Sequence, residues 1–159
     1  MKAAARFRGL TWDHPRGYQA LDAAAREART ADFDITWDRQ PLEGFESADI
    51  GRLAERYDLL VIDHPHLGDA VAYGCLRKLG SLFDESILAD WEQQSIGGAF
   101  QSYFYDGAQW ALPLDAATQV AAARMDLVLS GLPATWDDVL AFAEKNSVCL
   151  SLSGPHALL

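Results

Sequence analysis

The sequence predicts an α/β fold, a parallel-type sheet beginning in the strand order 2-1-3 with helices on both faces, and three observations carry that expectation. Short apolar runs alternate with stretches of helical period. One run, Leu59-Leu60-Val61-Ile62, is continuously apolar, as a strand buried on both faces is. The succession strand, helix, strand, helix, strand implies right-handed crossovers and therefore parallel neighbours.

Phe7 to Trp12 is the first strand. Pro15 suits the first turn of the helix that follows, where its missing N–H would have no partner in any case. Leu21, Ala24, Ala25 and Ala28 then fall at i, i+3, i+4, i+7 and define that helix's inner face. Phe33 to Trp37 is a second strand, with residues 40–44 as a loop. Ile50, Leu53, Ala54 and Tyr57 repeat the helical spacing, and Asp58 separates them from the apolar run at 59–62. Residues 76–83 are irregular, Glu85 to Gln93 is a helix, and Gly97-Gly98 breaks it. Tyr103-Phe104-Tyr105, Asp106-Gly107 and Trp110-Ala111-Leu112 form a strand, turn and strand, a β-hairpin signal. Residues 118–125 are extended or, given their alanines, helical. Thr135 with Asp138 three residues later is a helix start, and Trp136, Val139, Leu140 and Ala143 are its buried stripe. Val148 to Leu152 is a last strand. Gly154-Pro155 opens a helix that has scarcely begun at Leu159, so the chain is expected to continue.

Composition narrows the function classes. Of the 159 residues 23 are acidic and 13 are Lys or Arg, a formal net charge of −10. A nucleic-acid binder needs a basic footprint, and this balance argues against one. No run of apolar residues is long enough for a membrane-spanning helix. Cys75 and Cys149 lie far apart without metal-type spacing and are expected as unpaired, buried thiols. Residues 1–8 contain basic side chains but no apolar segment of the secretory type.

One local repeat stands out. Asp13-His14-Pro15 and Asp63-His64-Pro65 each sit where a strand ends and a helix begins, and His66 follows the second copy. In open parallel sheets ligands bind outside the carboxyl ends of strands. The order 2-1-3 makes strands one and three neighbours, which sets both turns on one rim. Asp13, His14, Asp63, His64 and His66 are thus candidate ligand-binding residues, since carboxylates and imidazoles supply the acceptors and donors that sugar hydroxyls need. Trp12, directly before the first turn, is a candidate aromatic platform. The plainer reading, that Asp-His-Pro is simply a favourable turn, is compatible with both. A cluster of Asp and His also resembles a transition-metal site, although spacings such as His-Glu-x-x-His are missing. No Gly-x-Ser-x-Gly elbow or phosphate-cradling glycine loop is present, and no cofactor is indicated.

From Tyr105 onward the sequence resembles the middle of family 1 extracellular solute-binding proteins, the sugar-type ligand receptors of ABC importers. The resemblance rests on Tyr105-Asp106-Gly107, Trp110-Ala111-Leu112-Pro113, Asp115-Ala116-Ala117-Thr118-Gln119-Val120, Arg124-Met125-Asp126-Leu127, Gly131-Leu132-Pro133 and Thr135-Trp136-Asp137-Asp138-Val139. Tyr57-Asp58-Leu59-Leu60-Val61 and residues 74–79 also fit the first lobe. The resemblance implies a bilobal clamp of the type II periplasmic-binding-protein class, here its N-terminal portion: residues 1–112 in the first lobe, a hinge crossing at 113–115, and the start of a second lobe at 116–159. It makes Asp115 the hinge contact to the ligand, with Thr118 and Gln119 beside it. It further implies a periplasmic or extracellular protein, monomeric when full length, that hands a small polar solute to a membrane permease without chemistry of its own. The paired Asp-His-Pro turns are not a general feature of that family. Two rivals remain open on sequence alone: a metal-dependent enzyme built on those turns, and a flavodoxin-like regulatory or interaction domain ending near residue 105.

Overall fold

A computed structural model describes residues 5–42, 48–117, 120, 122–124, 126 and 131–149. It is an α/β structure. Three parallel strands, β1 (Ala5–Trp12), β2 (Phe33–Gln40) and β3 (Leu59–Leu60), form a sheet in the order β2-β1-β3. Strand β1 pairs with β2 along its whole length, from Ala5 opposite Phe33 to Trp12 opposite Gln40, and with β3 through Gly9–Leu59 and Leu10–Leu60. That register explains why residues 9–12 are buried while 5–8 are exposed. The second half of β1 lies where β3 and the turns beyond the strand ends join β2 in covering it.

Helix α1 (Pro15–Ala28) begins as the sequence predicts, with Pro15 in its first turn. Its inner face differs from the expected stripe: Gly17 is buried and Tyr18, Leu21, Asp22 and Ala25 are half-buried, whereas Ala24 and Ala28 are exposed. Gly17 sets the rotation. A Cβ on it would come within 2.5 Å of the Trp12 ring and 2.8 Å of the Trp12 carbonyl oxygen, so only glycine lets the helix start so near the strand. Tyr18 and Asp22 are then covered by Arg39, whose guanidinium lies 3.5 Å from the Tyr18 ring centre and 2.7 Å from the Asp22 carboxylate.

Strand β2 runs three residues beyond its apolar part because each polar residue there has a cross-element partner. Asp38 accepts from Arg8 on β1 at 2.7 Å and from the Tyr57 hydroxyl at 3.0 Å, while Arg39 holds Asp22. Helix α2 (Ile50–Ala54) is short and is capped by Asp49, which accepts from the N–H groups of Gly51 and Arg52 at 3.0 and 3.3 Å. Strand β3 corrects the expectation of a four-residue strand buried on both faces: two residues are strand, and Leu59 is 39% exposed. Among the described residues β3 has a neighbour on one side only, so its outer face lacks cover.

A 3₁₀ turn at His64–His66 leads into α3 (Leu67–Ala72), which buries Leu67 and Ala70. Helix α4 (Glu85–Gln94) matches its expectation, and Gly97 turns the chain after it. The hairpin is present but offset. Its strands are β4 (Phe104–Tyr105) and β5 (Ala108–Gln109), because Asp106 and Gly107 both have positive φ (46° and 73°), the two-residue turn that pairs the immediately flanking residues. Trp110 contributes one more bond, its N–H donating to the Tyr103 carbonyl at 3.1 Å, and residues 111–112 are irregular.

The chain divides into two compact units, residues 1–116 and 117–159. In the second, α5 (Trp136–Ala143) starts on a complete capping box: Thr135 Oγ1 accepts from the Asp138 N–H, and Asp138 accepts from the Thr135 N–H. Its apolar stripe is not buried as expected, since Trp136 is 69% and Leu140 67% exposed. The described residues of this unit include no strand on which that face could lie. Val148 and Cys149 are irregular, residues 150–155 lie outside the described residues, as do Thr118 and Gln119. Both cysteines are free, Cys75 half-buried and Cys149 exposed, so neither is the buried thiol expected. No helix among the described residues is long and apolar enough to cross a membrane.

Candidate functional site at the carboxyl ends of strands one and three

The two Asp-His-Pro turns follow adjacent parallel strands. The register pairs residues fifty apart, Gly9 with Leu59 and Leu10 with Leu60, and the same interval separates Asp13-His14-Pro15 from Asp63-His64-Pro65. Val61 carries the ladder one bond further toward the rim, its N–H donating to Leu10 at 2.9 Å. The sequence repeat therefore falls just beyond two paired strands, although the helical turn begins at Pro15 in the first copy and at His64 in the second.

The first turn is fixed by backbone bonds. The Asp13 N–H donates to the Gln40 carbonyl at 2.8 Å, and Gly17 and Tyr18 donate to the His14 carbonyl at 2.8 and 3.1 Å. His14 is the N-cap of α1, with Nδ1 accepting from the Arg16 N–H at 3.2 Å. That bond uses the Nδ1 lone pair, so the neutral ring carries its proton on Nε2, the nitrogen left for other contacts. Asp13 and His14 are both exposed. Trp12 is placed differently: it is 9% exposed and packs against Gly17, beneath the rim, where it supports the turn and shows little ring surface to a ligand.

At the second turn the Asp63 carbonyl accepts from the His66 N–H at 3.0 Å, and its side chain makes no capping bond to the 3₁₀ turn. Asp63 and His66 are half-buried and His64 is exposed. Here the structure adds a residue that sequence reasoning missed. The Tyr103 ring stands edge-on to the His64 imidazole, with ring centres 5.9 Å apart, and its hydroxyl donates a long bond of 3.5 Å to the Ile62 carbonyl. Burial, and secondarily the nearby Asp63 carboxylate, push the Tyr103 phenol above its ordinary value, so it is a hydroxyl donor at neutral pH. The signal available in the sequence was an aromatic residue opening the expected first hairpin strand; the hairpin was legible, but not the strand end that Tyr103 packs against.

Asp115 is joined to the first turn through Arg16, the ion pair measuring 3.4 Å. Arg16 was not singled out in the sequence, where it is one arginine among many; its position in the first turn of α1 is what brings it to the rim. Around the strand ends the chain thus places three carboxylates (Asp13, Asp63, Asp115), three imidazoles (His14, His64, His66), one guanidinium and one phenol. These groups offer both donors and acceptors. Among the described residues no three His, Cys, Asp or Glu side chains are gathered as metal ligands would be. No family model matches the chain, and no curated protein matches it.

Proposed function

We propose that this chain is part of a solute-binding protein and that the rim formed by residues 13–16, 63–66, Tyr103 and Asp115 contacts a small, polar, hydroxyl-bearing solute such as a sugar. The reading is supported chiefly by the β2-β1-β3 order, which sets two turns of the same Asp-His-Pro sequence at the carboxyl ends of adjacent parallel strands, where such sheets bind ligands. The donor and acceptor inventory suits neutral polyols, each hydroxyl needing one of each. No residue is assigned a covalent step.

By the sequence resemblance, the solute is held between two lobes, residues 113–115 form the hinge crossing, and the protein delivers its cargo to an importer permease from a periplasmic or extracellular location. Hinge closure would couple capture to delivery. Calorimetry together with amide NMR on the 159-residue chain, using a panel of sugars, amino acids and polyamines, tests the reading. A sugar should shift the amides of Asp13, His14, Arg16, Asp63, His64, His66 and Tyr103. Turnover of a solute, or preferential response to polyamines, would refute the sugar-binding assignment.

A further inference from the structure

The second feature of the molecule that can take a ligand lies at a side edge of the sheet. Strand β2 is the outer strand, and its hydrogen-bonding phase follows from the two ends of its ladder. The Ala5 N–H donates to the Asp32 carbonyl and the Asp13 N–H to the Gln40 carbonyl, both at 2.8 Å, with the register running unbroken between them. In a parallel pair this directs the backbone groups of the even-numbered residues of β2 toward β1 and those of the odd-numbered residues away from it. The outward carbonyl of Phe33 is taken by the Thr30 N–H at 2.9 Å. The outward N–H and C=O groups of Ile35, Trp37 and Arg39 receive no bond from any described residue.

This edge, unpaired among the described residues, borders a groove of about 400 Å³ between residues 34–37 and one stripe of α1, Asp22, Ala25, Arg26 and Arg29. The stripe follows helical spacing and so forms a continuous wall. Its charges are unequally paired. Asp22 is held by Arg39 at 2.7 Å and Asp34 by Arg29 at 3.7 Å, while Arg26 has no ion-pair partner among the described residues. The groove's own lining is charge-balanced, Asp22 and Asp34 against Arg26 and Arg29, but with Asp22 taken by Arg39 from outside the lining, Arg26 is the guanidinium left for an incoming carboxylate.

We propose that the groove between α1 and the outer edge of β2 docks an extended acidic peptide segment, which adds to β2 as a further strand and sets a carboxylate against Arg26. Unpaired backbone groups at every second residue are matched only by another extended backbone, and the helix wall supplies side-chain selection. A guanidinium free to pair with a carboxylate gives the preference for acidic over basic segments. The site is separate from the solute rim and does not depend on it.

The test is an amide NMR titration of the 159-residue chain with a capped peptide of about six residues alternating valine and glutamate, against its lysine counterpart and a glutamate isomer interrupted by proline. The glutamate peptide should shift the amides of Ile35, Trp37 and Arg39 and bind about tenfold more tightly than the lysine peptide, with the proline isomer inert. Arg26→Gln should remove most of that charge preference. Ile35→Pro should abolish binding while keeping the fold, since the Ile35 N–H makes no bond to β1. Arg26→Gln, an exposed substitution, keeps the test valid if Ile35→Pro is unstable. Equal response to all three peptides, or none at about 1 mM, overturns the proposal. Concentration-dependent protection of the same amides without peptide would assign the edge to a second copy of the chain and equally overturn it.

Discussion

At the scale of the residue, Tyr103 is the most informative side chain. Its phenol is raised first by burial and then by the Asp63 carboxylate. Asp63→Asn removes the second cause and should lower the Tyr103 pKa, leaving it above the ordinary phenol because burial remains; ultraviolet titration of tyrosinate checks the direction. The sign for stability follows. Tyr103 favours its protonated form in the folded state, so its contribution is complete below the unfolded value near 10 and is lost as pH rises through the higher folded value. Gly17 makes a second residue-scale case. Gly17→Ala would drive a methyl into Trp12 and its carbonyl, and should cost about 1–3 kcal/mol in chemical denaturation, as overpacking does. It should also disturb the His14 and Arg16 amides, because the same contact seats the start of α1. Asp13, His14, Asp63 and His64 were legible as candidates because the Asp-His-Pro repeat is visible in the linear sequence. Tyr103 and Arg16 were not, since what marks them is proximity across about 40 and 100 residues of chain to His64 and Asp115.

At the scale of the element, strand and helix existence followed from periodicity, while lengths and rotations followed from contacts that periodicity does not encode. Strand β2 continues through Asp38 and Arg39 because Arg8, Tyr57 and Asp22 receive them. The stripe of α1 turns toward Tyr18 and Asp22 because Gly17 fixes the helix against Trp12. The second hairpin strand starts two residues earlier than its apolar content suggests, because the positive φ angles of Asp106 and Gly107 dictate which residues pair. The start of α5 was legible in full, since a capping box is a local code. Thr135→Ala should destabilise that helix by about 1 kcal/mol, seen as a loss of helicity by circular dichroism. Helix formation there also favours an ionised Asp138, whose carboxyl is held low by the Thr135 hydroxyl and backbone bonds, so the helicity of α5 should fall as pH drops below the ordinary carboxylate range.

At the scale of the whole molecule, the Arg8–Asp38–Tyr57 cluster ties β1, β2 and the segment leading into β3 together. Arg8, and then the Tyr57 hydroxyl, hold the Asp38 carboxyl below its ordinary 3.8. A carboxyl depressed in the folded state contributes stability that is present above the unfolded value and lost as pH falls through the folded one. Urea denaturation should accordingly show unit 1–116 losing stability below about pH 4, and Asp38→Asn should be less stable at neutral pH with a flatter acid limb. The parallel order 2-1-3 was legible because crossover connections leave few topologies. The exposure of Leu59, Trp136 and Leu140 was not, because burial depends on what lies beside an element rather than on its own pattern.

The joint character of the two turns is tested most directly by titrating the 159-residue chain with a panel of neutral sugars and following assigned amides. One sugar should shift Asp13, His14 and Arg16 together with Asp63, His64 and His66, along a single saturation curve, with Tyr103 moving in step. Shifts confined to one turn, or two turns that saturate at different concentrations, would contradict it.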